Sequence, residues 1–297
     1  MNDLFDQPVS RRTFIKHAAV TTATMSLSSN LLLAQNQPGQ RKWKKALKIG
    51  MIPASLSDKE KFTLAARCGY DGIDAVPLKS LDAAAEQAAV AKQAGCPIHG
   101  VVFGWWPPFN DRSNAANKKN IDAMLHALAC AKAMQADTVL LVPTRVTETA
   151  GYGQAYEHSQ KLIRELIPAA AEMRITIAIE NVWNKFLLSP LEFARYLDEL
   201  DSPWVKAYFD VGNIIIHGFA QDWIYALGKR IIKLDLKDFR RQGYQWKNLG
   251  EGDVNWPAVK KALIDIGFNG FMTAELKGGD ESYLCDVAQR IDKLLID

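Results

Sequence analysis

The chain has 297 residues, 48% of them hydrophobic, and its 36 Lys and Arg against 33 Asp and Glu leave a net charge of +3. That length suits one large domain with a generous core. Balanced charge weighs against nucleic acid as a partner, because nucleic-acid proteins usually gather basic residues on one element.

The N-terminal stretch reads as an address. Ser10-Arg11-Arg12-Thr13-Phe14-Ile15-Lys16 precedes a mildly apolar run from Ala18 to about Ala34. Paired arginines followed by an aromatic, an aliphatic and a lysine resemble a twin-arginine export signal. The run is rich in Ala, Thr and Ser, too polar for a membrane span, and resembles a cleavable leader ending near Leu33-Ala34-Gln35. Residues 1–34 are expected to be a signal peptide for the twin-arginine translocation machinery, which implies export of the folded protein to the periplasm. Residues 35–46 carry the basic run Arg41-Lys42-Trp43-Lys44-Lys45 and are expected to be a solvated linker.

From residue 47 to 297, short apolar runs alternate with longer helical patterns. The runs are Leu47–Pro53, Gly72–Pro77, Ile98–Gly104, Thr138–Pro143, Ile175–Glu180, Val205–Asp210, Ile231–Leu236 and Gly270–Glu275. Short, rich in Val and Ile, and bounded by Gly, Pro or Asp, they read as buried parallel strands. Between them, stretches such as Ala115–Met134, Gln154–Glu172 and Trp256–Ile266 carry apolar residues at helical spacing. Ser189-Pro190-Leu191-Glu192 has the form of a helix start, and Gly69, Gly95, Gly228 and Gly267 stand where helices stop. Eightfold alternation predicts a (β/α)8 TIM barrel, an α/β fold of roughly 250 residues. A doubly wound open sheet would usually carry a glycine-rich phosphate loop after its first strand, and Met51-Ile52-Pro53-Ala54-Ser55 is not one.

Barrel enzymes carry their chemistry at the C-terminal ends of the strands. Strands five to eight end at or next to Glu180, Asp210, Asp235 and Glu275. One such acid is usually a salt-bridge or capping group. Four on consecutive strands converge and repel, and a divalent cation reconciles them. An oxygen donor set favours Mn2+ or Mg2+ over zinc. Histidines are scarce: His126 and His158 fall in helical patterns, His99 reads as a core group, and His217 follows strand six closely enough to line the mouth. Trp105 and Trp106 after strand three and Trp183 after strand five are placed to offer ring faces to a ligand at the mouth or simply to pack. The four cysteines, Cys68, Cys96, Cys130 and Cys285, form no CxxC pair. Spacing pairs none of them, and each is expected to pack as a small apolar residue, with a disulfide as the alternative in an oxidising compartment.

The stretches Ala178-Ile-Glu-Asn-Val-Trp, Tyr208-Phe-Asp-Val-Gly-Asn, Lys233-Leu-Asp-Leu-Lys-Asp-Phe, Gly250-Glu-Gly-Asp-Val-Asn-Trp and Thr273-Ala-Glu-Leu occur in this order. Together they resemble the xylose isomerase-like TIM barrels, a family of sugar isomerases, epimerases and keto-cyclitol dehydratases, over residues 47 to 295. The resemblance implies metal ligands at Glu180, Asp210, Asp235 and Glu275, with Glu180 and Glu275 as the proton-transferring pair acting through a cis-enediolate. It places Asn213, Lys237 and Arg241 (or Arg240) against substrate, with Lys237 and Asp238 as alternative orienting groups. Two positions depart from the pattern: Asp235 stands where members commonly have histidine, and Asn213 where ketose epimerases often have one. The implied activity is metal-dependent isomerisation or epimerisation of a keto sugar or oxidised glycoside, and the implied assembly a homodimer. A lyase, dehydratase or hydrolase acting on a 3-keto-glycoside or keto-cyclitol is an alternative, as is a sugar-binding barrel without catalysis.

Overall fold

The computed structural model describes residues 43–105 and 113–297; the twin-arginine stretch and Trp106 lie outside the described residues. Strands and helices alternate as β1 (Lys44–Lys48), α1 (Asp58–Arg67), β2 (Gly72–Ala75), α2 (Leu81–Gln93), β3 (Ile98–Trp105), α3 (Asn114–Ala133), β4 (Thr138–Val142) and α4 (Tyr152–Met173). The chain continues through β5 (Thr176–Glu180), α5 (Pro190–Glu199), β6 (Val205–Asp210), α6 (Ala220–Leu227) and β7 (Ile231–Leu236). A short hairpin follows, β8 (Asp238–Arg240) with β9 (Gln245–Lys247), and then α7 (Trp256–Asp265), β10 (Phe271–Ala274) and α8 (Glu281–Ile291). β1 to β7 and β10 close into a parallel barrel in the order β1-β10-β7-β6-β5-β4-β3-β2, while β8 and β9 pair antiparallel outside it. The predicted TIM barrel is the fold of the chain.

Local chemistry sets the boundaries. Ser57 and Glu60 form a reciprocal capping box at the start of α1, and Ser189 caps α5 with Pro190 in its first turn. Gly69, Gly95, Gly228 and Gly267 all take positive φ at or just past helix ends, where a side chain would be strained. Alternate strand residues point outward and join the helices in one apolar core, with Leu47, Ile73, Ile177, Phe209, Leu234 and Met272 among its fully buried members.

The first strand differs from its expected span. It begins at Lys44, and residues 49–51 form a single 3-10 turn, so Lys44–Ala46 belong to the barrel and not to a linker. Trp43 is buried as well, its indole N–H donating to Phe268 O at 2.7 Å. Lysines hid this strand from a hydropathy reading. Lys45 is buried, yet its ammonium reaches Asp292 past α8, so the charge finds a partner at the rim.

The cysteine expectation holds for Cys96 and Cys130, which are buried and free. It fails for Cys68 and Cys285, which form a disulfide across a sequence separation of 217. Barrel closure brings α1 and α8 side by side, and no spacing rule could have shown it. Arg67 and Glu281 reinforce the same seam with two hydrogen bonds of 2.6 Å.

Candidate active site

β5 and β6 end on Glu180 and Asp210, Asp235 is the penultimate residue of β7, and Glu275 directly follows β10. Strand register places Asp210 opposite Asp235, and Asp235 opposite Thr273, so the acids come from one side of the barrel mouth. Each offers an oxygen within 4.8 Å of the others. Asp210 and Asp235 are fully buried, Glu180 is nearly so, and Glu275 is about one-third exposed.

The loops after β5 and β6 lock these acids in place. Asn181 donates to Asp210 O at 2.9 Å and accepts from Asp210 N at 2.8 Å, stitching the two strand ends together. Asp210 Oδ1 accepts the backbone N–H groups of Gly212 and Asn213, both at 2.8 Å, which leaves Oδ2 to face the mouth. A Cβ at Gly212 would meet Lys237 Cβ at 2.5 Å. That glycine lets Lys237 pass, and its ammonium lies 2.9 Å from Asp210 Oδ2 and 3.1 Å from Glu275 Oε2.

A second lysine comes from β1, the strand beside β10. Lys48, the last residue of β1, lies 2.8 Å from Asp235 Oδ1 and 3.2 Å from Asp74 Oδ2. Beneath it, Tyr208 donates to Asp74 at 2.5 Å and shares a 2.7 Å hydrogen bond with Thr273. A Cβ at Gly100 would come within 2.1 Å of Asp74 Oδ1, so only glycine leaves room for this charge inside the barrel. Lys233, deeper in the lumen, is spent on His99 O, Asp137 and Thr138.

The electrostatics are those of crowded acids. Burial and the nearby Glu275 charge push the Glu180 carboxyl up to about 8. Burial raises Asp235 well above the usual range against the pull of Lys48, and it raises Asp210 against the pull of Lys237. Burial acts on Glu275 too, but Lys48 and Lys237 outweigh it and hold that carboxyl below its ordinary value. Glu180 Oε1, Asp210 Oδ2, both Asp235 oxygens and Glu275 Oε2 accept no hydrogen bond among the described residues. Lysine ammonium groups lie 2.8, 2.9 and 3.1 Å from Asp235 Oδ1, Asp210 Oδ2 and Glu275 Oε2, and no described lysine stands at ion-pair distance from Glu180 Oε1 or Asp235 Oδ2. Buried carboxylate oxygens are normally satisfied, and these five, converging from four acids, fit a hard divalent cation.

The other expected site residues are placed as follows. Lys237 joins the cluster. Trp183 lies at the mouth, 39% exposed, its N–H donating to Asn213 O at 2.7 Å and its ring stacked on Trp246 at 4.8 Å. Phe239 and Tyr244 complete that aromatic group. Trp105 is 36% exposed beneath the Arg145 guanidinium, 4.6 Å from the ring centroid. Asn213 is buried and its amide donates to Asn181 O at 2.9 Å, which makes it part of the frame around Asp210. Arg241 is not brought into the cluster: its guanidinium donates to Ile215 O at 2.6 Å and Gly218 O at 2.9 Å, tying β8 to the loop after β6. Arg240 donates to Glu251 O. His217 is exposed with its ring edge-on to Trp223. Asp238 is buried beside Lys237 but accepts from Phe239 N, Gly250 N, Val254 N and Trp256 Nε1, anchoring the 250–256 segment. A cavity of about 970 Å³ opens beside the cluster, with Lys237, Glu275 and Trp246 in its wall.

Sequence reading missed Lys48, Asp74, Asn181, Tyr208 and Thr273. One signal was available: Asp74 and Thr273 are polar residues in otherwise apolar strands, whereas Lys48 is the third lysine of β1 and does not stand out.

Among curated proteins, the Putative L-ribulose-5-phosphate 3-epimerase SgbU of Escherichia coli (strain K12) is 25% identical over 252 residues, 76% of this chain and 85% of that protein. The L-ribulose-5-phosphate 3-epimerase UlaE of Shigella boydii is 23% identical over 172 residues, 55% of this chain and 58% of that protein. In fold, the chain is similar to D-psicose 3-epimerase, with a TM-score of 0.73 at 15% identity, covering 86% of this chain and 100% of the other. It is likewise similar to the 3-keto-D-glucoside 4-epimerase YcjR of E. coli, with a TM-score of 0.70 at 14% identity, covering 85% and 98%. The model of one family matches residues 62–293, nearly the whole barrel, and the chain belongs to that family, the xylose isomerase-like TIM barrels.

Proposed function

We propose that this protein is an exported, divalent-metal-dependent epimerase or isomerase of a keto sugar or oxidised glycoside. The quartet Glu180, Asp210, Asp235 and Glu275 carries the reading, because its buried oxygens converge and two lysines reach only three of them. Holding that much negative charge out of water is costly unless a cation shares the site, and the oxygen donors suit Mn2+ or Mg2+. When bound, such an ion supplies Lewis acidity, making the C–H beside a carbonyl easier to ionise. Glu180 and Glu275 move the protons. One takes hydrogen from carbon, and the other returns one to the opposite face in epimerisation or to the adjacent carbon in isomerisation. Lys237 bridges Asp210 and Glu275 and fixes the orientation of both. Trp183 and Trp246 offer ring faces for the C–H side of a sugar. The relatives named above act on keto sugars by their names, which supports this substrate class.

Export is part of the proposal. The twin-arginine motif supports it, and the Cys68–Cys285 disulfide fits an oxidising compartment. Among the described residues no helix is long and apolar enough to cross a membrane.

The test is hydrogen exchange. The Mn2+-loaded mature protein is incubated in D2O with free ketoses and 3-keto-glycosides, and products are read by NMR. Carbon-bound deuterium in an epimer or isomer is the expected result. Deuterium accompanied by loss of water or of the aglycone would turn the reading into a lyase. Metal bound but no exchange in any compound would leave a sugar-binding barrel.

A further inference from the structure

We propose that Lys48 is a counter-ion built into the acidic quartet, setting both its affinity for a divalent cation and its discrimination against trivalent ones. This rests on the metal-centred reading above. Lys48 belongs to β1 and Asp235 to β7, with β10 between them in the barrel, so the lysine reaches past a whole strand to make its 2.8 Å contact. Its side chain is only 11% exposed, and its ammonium sits 4.5 Å above the Tyr208 ring. A buried ammonium in that position is held by what surrounds it, and Asp235 has no other ion-pair partner among the described residues. Asp74, the second partner of Lys48, also has the Tyr208 hydroxyl.

Charge gives the pairing its consequence. Lys237 serves Asp210 and Glu275, Lys48 serves Asp235, and Glu180 faces no lysine at ion-pair distance. Ionised for cation binding, the four carboxylates carry four negative charges, which Lys237 and Lys48 (shared with Asp74) offset in part. Without Lys48 the site would be one charge more negative. The repulsion between Lys48 and a bound cation scales with the charge of that cation. Lys48 therefore weakens every cation, and weakens a trivalent one more. The contacts of Lys48 are to Asp235, Asp74 and the Tyr208 ring, and its role is to position Asp235 and to set charge.

The experiment is direct titration of the purified mature protein with Mn2+ and with Tb3+, by calorimetry and by Tb3+ luminescence, independent of turnover. Lys48→Met is expected to bind Mn2+ about tenfold tighter or more, and to gain further for Tb3+. Asp235→Asn is expected to weaken both ions, because it removes a carboxylate from the site and leaves Asp74 as the one carboxylate paired with Lys48. Adding Lys48→Met to Asp235→Asn is expected to restore most of the lost affinity, and this pair carries the test should Lys48→Met alone fail to fold. Equal or weaker binding on removing Lys48 in either background, or equal gains for the two ions, would overturn the proposal. Wild-type protein that binds neither ion would instead overturn the metal-centred reading and take this proposal with it.

Discussion

The outer and inner faces of the same eight strands have opposite chemistry. Outward residues such as Leu234 and Leu236 join the helices in an apolar core, while Asp235 between them points inward and is just as deeply buried. The lumen is itself divided. On the β4–β6 side Leu140, Val142, Ala178 and Tyr208 pack as a small apolar cluster. On the β1, β2, β7 and β10 side the interior holds Lys48, Asp74, Asp235 and Thr273. The outer face supplies stability that needs no partner beyond shape. The inner face stores charge that is tolerable only while every member has its counterpart.

Substitutions on the two faces should therefore fail in different ways. The largest effect is expected inside. Glu180→Gln should lower turnover by about 10² to 10⁴-fold, yet leave the metal-free melting temperature unchanged or higher, because an amide replaces a crowded buried acid. Steady-state kinetics beside thermal melting reads both. A matching loss of stability would erase the distinction between the faces. Outside, Phe193→Ala removes a fully buried ring of α5 and should cost about 3–5 kcal/mol. Turnover per folded molecule should stay the same, as denaturant titration and active-site counting would show.

Smaller effects sharpen the contrast. The disulfide clasps α1 to α8 on the outer layer, so Cys285→Ser should cost about 2–4 kcal/mol without changing Mn2+ affinity. Calorimetry on the variant checks both halves of that expectation. The mildest lever is pH. Between pH 7.5 and 8.5, His99 and His217, both lowered by desolvation, are mostly neutral whether the chain is folded or not. Glu180, raised to about 8, still holds in the folded state a proton that the unfolded chain has released. The folded form binds more protons, so the stability of the metal-free protein should fall as pH rises through this window, by at most about 1.4 kcal/mol for each pKa unit crossed. Mn2+ needs the ionised carboxylates, so its stabilising effect should grow over the same range. A flat melting profile from pH 7.5 to 8.5 would remove the crowding of acids from the account.

The sequence by itself determined the repeating strand–helix plan and the four strand-end carboxylates, because burial on one face writes an apolar period and an acid at the end of such a run stands out. Asp235 was legible for that reason, and so was the helix start at Ser189. The first strand was misplaced because Lys44 and Lys45 look like solvent-facing residues until Asp292 is brought beside one of them. Arg241 matched a family position, but its guanidinium is consumed by the carbonyls of a loop that the chain reaches earlier. Only the tertiary structure decided which charges meet. Barrel closure sets Lys48 against Asp235 and Cys68 against Cys285, across separations that local periodicity cannot encode. Such pairings depend on the register of strands that are distant in the chain, and register follows from packing the whole outer core.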